Sequence, residues 1–68
     1  MRTSARNQLR GTIKSVEQGA VMAEVVVDVN GVEVVAAITK NSVDHLQLSE
    51  GRQVSAIIKA TDVMIATE

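Results

Sequence analysis

Apolar and polar residues alternate along most of this 68-residue chain, and an Asn-Gly pair interrupts the alternation near its middle. Every second residue from Val21 to Val29 is apolar, and the same holds from Val32 to Ile38. Because successive side chains of a strand point to opposite faces, this pattern predicts two strands with one apolar face each. Asn30-Gly31 is a strong two-residue hairpin signal, since both turn positions require positive φ. These features constrain the chain to an antiparallel β fold.

A further strand is predicted ahead of the hairpin. The alternating pattern runs from Leu9 through Gly11 to Ile13, and the period then slips by one residue. Such a slip near Lys14-Ser15 predicts a β-bulge or a strand end. Glu17-Gln18-Gly19 is typical of the turn that follows a strand, because glycine adopts positive φ without a steric cost.

The spacing of the apolar residues changes after the second strand of the hairpin. Cap-type residues at 39–42 precede two apolar residues that are three apart, which predicts a short helical turn over about 42–46. Alternation returns in a fourth strand over 54–58, and the apolar run 63–66 predicts a fifth. This is the element order of an OB-type barrel. We therefore predict an all-β fold, a small five-stranded OB-like barrel with one short helix between strands 3 and 4.

The composition restricts both stability and chemistry. A chain of 68 residues predicts a single domain, 1–68. It contains no cysteine, which excludes disulfides and thiolate metal sites, and its one histidine, His45, cannot form a zinc site alone. No Ser-His-Asp set or nucleophile elbow is evident, so we do not expect an enzyme, and His45 is interpreted as a surface or interface residue. A core without Phe, Tyr or Trp is thin, so self-association is the expected source of additional stability.

Charge and hydropathy exclude two kinds of partner. Seven basic and eight acidic residues give a net charge of −1, which argues against nucleic-acid binding because that affinity comes largely from phosphate neutralisation. The absence of aromatic residues also removes the stacking that holds single strands. No apolar run approaches the ~20 residues of a membrane span, and no signal-peptide pattern is present. The expected location is the cytoplasm.

Three short clusters carry side chains that could bind a ligand. They are Ser4, Arg6 and Asn7; Thr39-Lys40-Asn41-Ser42; and Lys59-Ala60. Almost all of their polar groups can donate hydrogen bonds and none is acidic, which suits a small anion whose oxygens only accept. Each cluster also has a simpler interpretation: a frayed terminus, a helix N-cap and a solvated strand end, respectively.

Together the clusters resemble the molbindin (Mop) family of molybdate-binding proteins. The matching motifs are Ser4-Ala5-Arg6-Asn7-x-x-x-Gly11, Ile38-Thr39-x-x-Ser42, and Ile58-Lys59-Ala60 followed by Val63-Met64-Ile65. They keep the family's order and approximate spacing over essentially the whole chain, and the Asn30-Gly31 hairpin and Glu50-Gly51 turn also fit. The resemblance implies an OB-like barrel that binds molybdate or tungstate between the subunits of a homo-oligomer. In the family this is typically a hexamer built from dimers, and no organic cofactor is implied.

The resemblance also implies the residues of the oxyanion site. Carried over by position, they are Ser4, Arg6, Thr39, Ser42, Lys59 and Ala60. Asn7 matches the motif as a residue that supports the strand start. Molybdenum would be bound as the oxyanion, with no side chain bound directly to the metal. The family also has a second kind of oxyanion site, near a symmetry axis, which is not assigned to residues of this chain because it depends on backbone groups and on the geometry of the assembly.

The donor chemistry agrees with this implied ligand. Molybdate is a tetrahedral dianion that accepts hydrogen bonds on every oxygen, and Arg6 and Lys59 together balance its two charges. Hydrogen phosphate carries a proton that needs an acceptor, so an all-donor site should penalise it by about 1–3 kcal/mol. The resemblance, with which this chemistry agrees, therefore implies intracellular storage and homeostasis of molybdenum. The alternative is an oxyanion-sensing regulatory or assembly module acting on a protein partner, because the family's domain also occurs fused to DNA-binding regulators and transport ATPases.

Overall fold

Four strands and one short helix form the computed structural model, which describes residues 2–68. The strands β1 to β4 span Asn7–Gln18, Met22–Val29, Val32–Thr39 and Gln53–Ile58, and the helix α1 spans Lys40–Leu46. A 3-10 turn at Ala60–Asp62 follows β4. The strands form one antiparallel sheet in the order β3-β2-β1-β4, so β1 pairs with both β2 and β4. The long first strand is therefore the element that connects the two sides of the sheet.

The hairpin and the bulge are confirmed. Asn30 and Gly31 both have positive φ, 51° and 88°, as a two-residue hairpin turn requires. The pairing of β1 with β2 shifts register between Ile13 and Ser15, so Lys14 is the additional residue of a bulge. The predicted turn at 17–19 was placed too early, because Glu17 and Gln18 still pair with β2.

The core is small and wholly aliphatic, as the composition predicted. Its buried residues are Ile13, Ala23, Val25, Val27 and Val43. Partly buried residues from every strand and from the segment after α1 pack against it: Val16, Val29, Ile38, Leu48 and Val54. The alternation predicted for β2 is confirmed, because its odd-numbered residues from Ala23 to Val27 point inward and Glu24 and Asp28 point to solvent.

Gly11 allows β1 to pass unusually close to β2. A Cβ atom built on Gly11 would lie 2.5 Å from the Asp28 carbonyl oxygen and 2.7 Å from a Val27 methyl group. Real Cβ atoms do not approach backbone oxygens this closely, so only glycine fits here without a shift. The bulge at Lys14 and this close contact together let β1 bend across the core.

The fifth strand and the closed barrel were predicted wrongly. The sheet is open, β3 and β4 are its edges, and residues 63–66 form no strand. A strand needs a neighbour for its N–H and C=O groups, and this segment has none among residues 2–68 of the same chain. Met64 and Ile65 are 93% and 86% exposed. The apolar composition of residues 63–66 predicted a buried strand, but a sequence pattern could not show whether a pairing partner lies within the chain.

The helix is confirmed between the third and fourth strands, and it is longer than predicted. It begins at Lys40 directly after β3 and is capped by Thr39. It ends at Leu46, and the C-cap residue Gln47 adopts the left-handed conformation with φ 55°. Within residues 2–68 the helical segments are too short and too polar to cross a membrane.

Candidate functional site

The first and third clusters are brought together by the pairing of β1 with β4. Asn7, the first residue of β1, lies opposite Ile58, the last residue of β4. The Asn7 side-chain amide donates to the Ile58 carbonyl oxygen at 3.1 Å. Arg6 and Lys59 are the residues immediately outside this pair, so both basic side chains extend from the same end of the β1–β4 ladder.

Local hydrogen bonds hold the segment that precedes β1. The Thr3 hydroxyl accepts from the Ala5 N–H at 3.2 Å, and the Gln8 side-chain amide donates to the Ala5 carbonyl oxygen at 3.0 Å. Ser4 and Arg6 lie between these contacts and are exposed. Their polar atoms therefore face solvent from a segment with defined local structure, next to Lys59 and Ala60, which are also exposed.

The second cluster forms a hydroxyl pair at the start of α1. Thr39 Oγ1 accepts from the Ser42 N–H at 3.1 Å, which is the N-cap predicted from the sequence. The same Oγ1 lies 2.8 Å from Ser42 Oγ, and either hydroxyl could donate in that bond. One hydroxyl proton is used within the pair, so the other remains available to a bound acceptor.

The second cluster lies at the opposite end of β1 from the other two. Thr39 pairs with Met22, and the Met22 carbonyl oxygen accepts from the Gly19 N–H at 2.8 Å, just beyond the end of β1. Asn7 starts the same strand, which is 12 residues long. The six predicted site residues thus form two groups, four near the start of β1 and two near its end.

One face of α1 places His45 and Leu46, which lie outside the three clusters, beside two residues of the second cluster. Asn41, Ser42, His45 and Leu46 line an open recess of about 660 Å³. His45 was interpreted as a surface or interface residue, with no connection to Ser42. The signal that could have linked them is their spacing, because residues three apart share a helix face.

The fold and these clusters define a class of protein: a small, mostly β domain with hydroxyl and cationic donors grouped at the two ends of its longest strand. The family model described as the TOBE domain matches residues 3–65. The chain belongs to the TOBE-domain family.

Individual relatives are similar over nearly their whole length. "Molybdenum-pterin-binding protein 3" of Clostridium pasteurianum is 46% identical over 66 residues, which cover 96% of this chain and 97% of the relative. The solved structure of a molybdate-binding protein from Sporomusa ovata is 45% identical, covers 98% of this chain and all of that one, and has a TM-score of 0.94. The resemblance to Mop proteins is thereby confirmed.

A longer protein contains the same fold. The structure of the cytoplasmic molybdate-binding protein ModG, with molybdate bound, is 48% identical to this chain with a TM-score of 0.84. The match covers 88% of this chain and 43% of ModG. The fold is therefore also found as part of a chain about twice as long.

Proposed function

We propose that this chain binds molybdate and serves in the storage and homeostasis of molybdenum. The observation that carries the proposal is the division of the hydrogen-bond donors into two groups, in a fold closely similar to that of molybdate-binding proteins. One group holds Arg6 and Lys59 at the start of β1, and the other holds the Thr39–Ser42 hydroxyl pair near its end. Tungstate has nearly the same size and charge, so it is proposed as a ligand as well.

The proposed ligands are the six residues of the three motifs, each with a distinct role. Arg6 supplies a planar fork of donors and Lys59 a single rotatable charge, and together they balance a dianion. Ser4, Thr39 and Ser42 supply hydroxyl donors, and Ala60 supplies its backbone N–H. Asn7 supports the site by holding the start of β1 against the end of β4.

We propose that the complete site is formed between copies of the chain. The two donor groups lie at opposite ends of β1, so one group of each copy would meet the other group of a second copy. Self-association also has an energetic reason, because Met64 and Ile65 expose most of their apolar surface and burial contributes about 25 cal/mol per Å². The proposed assembly is a homo-oligomer, a hexamer built from dimers.

We propose a binding role without catalysis or an organic cofactor, for a single domain, 1–68, that acts in the cytoplasm. Nucleic acids are not proposed as partners, because the net charge is −1 and aromatic residues are absent. Membranes are not proposed, because no apolar run approaches the ~20 residues of a membrane span. The alternative role is an oxyanion-sensing module that acts on a protein partner, and the match to part of the longer ModG chain favours keeping it as the second candidate.

One combined measurement tests the proposal. Isothermal titration of the purified chain with sodium molybdate should release heat, and native mass spectrometry should show a closed oligomer with molybdate bound. Titration with sodium sulfate under the same conditions is the matched control for binding of any acceptor-only dianion. Absence of heat from a folded oligomer would refute molybdate binding. Isolation of a stable complex with a different protein would favour the sensing module over storage.

A further inference from the structure

The tip of the β2–β3 hairpin carries the only Asn-Gly pair of the chain. Asn30 and Gly31 are exposed, and both have positive φ, 51° and 88°. The Gly31 backbone N–H donates to Asp28 Oδ1 at 3.1 Å, so a carboxylate near the end of β2 closes the turn. The proposed anion site makes no use of this contact.

Asn-Gly pairs are chemically labile, because glycine has no side chain to hinder the approach of its own nitrogen. After losing its proton to hydroxide, the Gly31 nitrogen can attack Asn30 Cγ. A bond forms between these two atoms, the bond from Cγ to the side-chain nitrogen breaks, and that nitrogen leaves as ammonia after taking a proton from water. Water then opens the resulting succinimide ring at either carbonyl group, which gives aspartate or isoaspartate. The net reaction consumes water and releases ammonia, with no oxidation or reduction.

We propose that Asn30 is a site of spontaneous deamidation and that the Asp28 carboxylate protects it by holding the Gly31 N–H. The group that must lose its proton and attack is the same group that donates to Asp28. The inference goes beyond the proposed function, because it concerns the chemical lifetime of the hairpin and not a ligand.

A carboxylate next to an N–H group has two opposing effects on this reaction. It accepts protons, but it is a far weaker base than the anion of a backbone amide, so proton transfer from Gly31 to Asp28 is strongly unfavourable. Its negative charge also makes a second negative charge on the nitrogen more costly. In addition, the hydrogen bond must break before the nitrogen can move toward Asn30 Cγ. Protection is therefore the larger effect, and the reaction is expected to proceed from turns that have opened locally.

Deamidation at this position matters for the fold because the turn fixes the pairing of β2 with β3. That pairing runs from Val29 opposite Val32 at the tip to Met22 opposite Thr39 at the other end. Isoaspartate inserts an additional carbon into the backbone of a turn that has only two residues and needs positive φ at both. The product would therefore strain the hairpin that carries the Thr39 hydroxyl.

The inference is tested with five forms of the full-length chain: wild type, Asp28→Ala, Asp28→Asn, Glu24→Gln and Thr39→Ala. Each is incubated near neutral pH, and peptide mass spectrometry follows the conversion of Asn30 to aspartate and isoaspartate. Asp28→Ala should deamidate roughly tenfold faster than wild type, the factor expected when a hydrogen bond to a charged acceptor is lost. Asp28→Asn keeps a side-chain oxygen and should fall between the two, so it also serves if Asp28→Ala does not fold.

Two of these variants separate the local contact from other effects. Glu24→Gln removes a charge from an exposed position of the same strand, and Thr39→Ala removes the helix cap at the opposite end of the hairpin. Both should deamidate Asn30 at the wild-type rate. Asn7 and Asn41 are followed by residues with side chains and serve as internal references in the same digest.

The protective role of Asp28 is overturned if Asp28→Ala and wild type deamidate at the same rate. Slower reaction in both Asp28 variants would assign the carboxylate the opposite role, that of a base. If Glu24→Gln or Thr39→Ala accelerates the reaction as much as the Asp28 variants do, net charge or general instability accounts for the effect and the inference fails. It also fails if folded wild type deamidates as fast as the chain unfolded in urea. Molybdate titration of the same samples tests the proposed function separately.

Discussion

At the scale of single residues, we expect the affinity for molybdate to depend on the positive charges at the start of β1. Arg6→Ala and Lys59→Ala should each weaken molybdate binding by at least about tenfold, because a charge-assisted hydrogen bond to a dianion is lost. Arg10→Ala is the matched control, since Arg10 is an exposed arginine of the same strand outside the three clusters. Isothermal titration measures all three variants. Near-native affinity in both Arg6→Ala and Lys59→Ala would refute the assignment of these two residues.

Gly11 is a residue whose role is structural and can be tested apart from binding. Gly11→Ala should lower the free energy of unfolding by about 1–3 kcal/mol, because its Cβ would overlap the backbone of β2. The overlap is with the Asp28 carbonyl oxygen, at 2.5 Å, and backbone cannot move aside as a flexible side chain can. Urea unfolding measures the change, and Ser15→Ala at an exposed position of β1 is the control. Equal stability of Gly11→Ala and wild type would show that β1 does not depend on this close approach.

At the scale of elements, the cap of α1 links folding to the proposed site. Thr39→Ala removes the oxygen that accepts from the Ser42 N–H, and should cost about 1 kcal/mol of stability. Thr39→Ser keeps that oxygen and should retain most of both stability and molybdate affinity. Thermal unfolding and molybdate titration of the two variants distinguish the capping role of Thr39 from its role in binding the anion. If Thr39→Ala is destabilised but binds molybdate normally, the Thr39 hydroxyl serves only as a cap.

The bulge of β1 is tied to β3 by an ion pair that crosses β2. Lys14, the additional residue of the bulge, hydrogen-bonds to Glu33, and this contact, followed by the charges of Glu33 and Asp28, raises the pKa of Lys14. Because the folded-state pKa lies above the ordinary value of 10.5, the stabilisation is present at neutral pH and is lost as the pH rises through the folded-state value.

The corresponding variant is Lys14→Gln. It should be slightly less stable than wild type near neutral pH, and the difference should shrink above about pH 10.5 as Lys14 of the wild type deprotonates. Chemical unfolding at several pH values measures the difference. The Lys14 side chain is exposed, so the expected effect is small. A difference that grows with rising pH would contradict the assignment.

The elements also show what the sequence could predict. Period-two alternation, the Asn30-Gly31 turn and the slip at Lys14 are local signals, and each was correct. The fifth strand failed because pairing is not a local property: residues 63–66 have the composition of a strand but no partner among the described residues of this chain. The three motifs gave the candidate residues, whereas their division between the two ends of β1 depends on sheet register, which no single motif contains.

At the scale of the whole molecule, the core and the exposed apolar surface have to be considered together. Among residues 2–68 only five are buried, all of them aliphatic, while Val63, Met64 and Ile65 are exposed near the C-terminal end. Small domains with so little buried area usually depend on an additional source of stability. The same association that would cover this segment would also join the two donor groups of the proposed site, so stability and binding should respond together to changes that prevent it.

This coupling gives the last prediction. Met64→Glu combined with Ile65→Glu adds two charges to the apolar segment and should shift the native mass toward smaller species. Molybdate affinity should fall by at least about tenfold, because the variant leaves Arg6, Lys59, Thr39 and Ser42 intact but separates them. Thr67→Glu adds a charge two residues beyond the segment and should change neither property. Native mass spectrometry and isothermal titration on the same samples test the relation, and a dissociated variant that still binds molybdate as tightly as wild type would show that one chain holds the complete site.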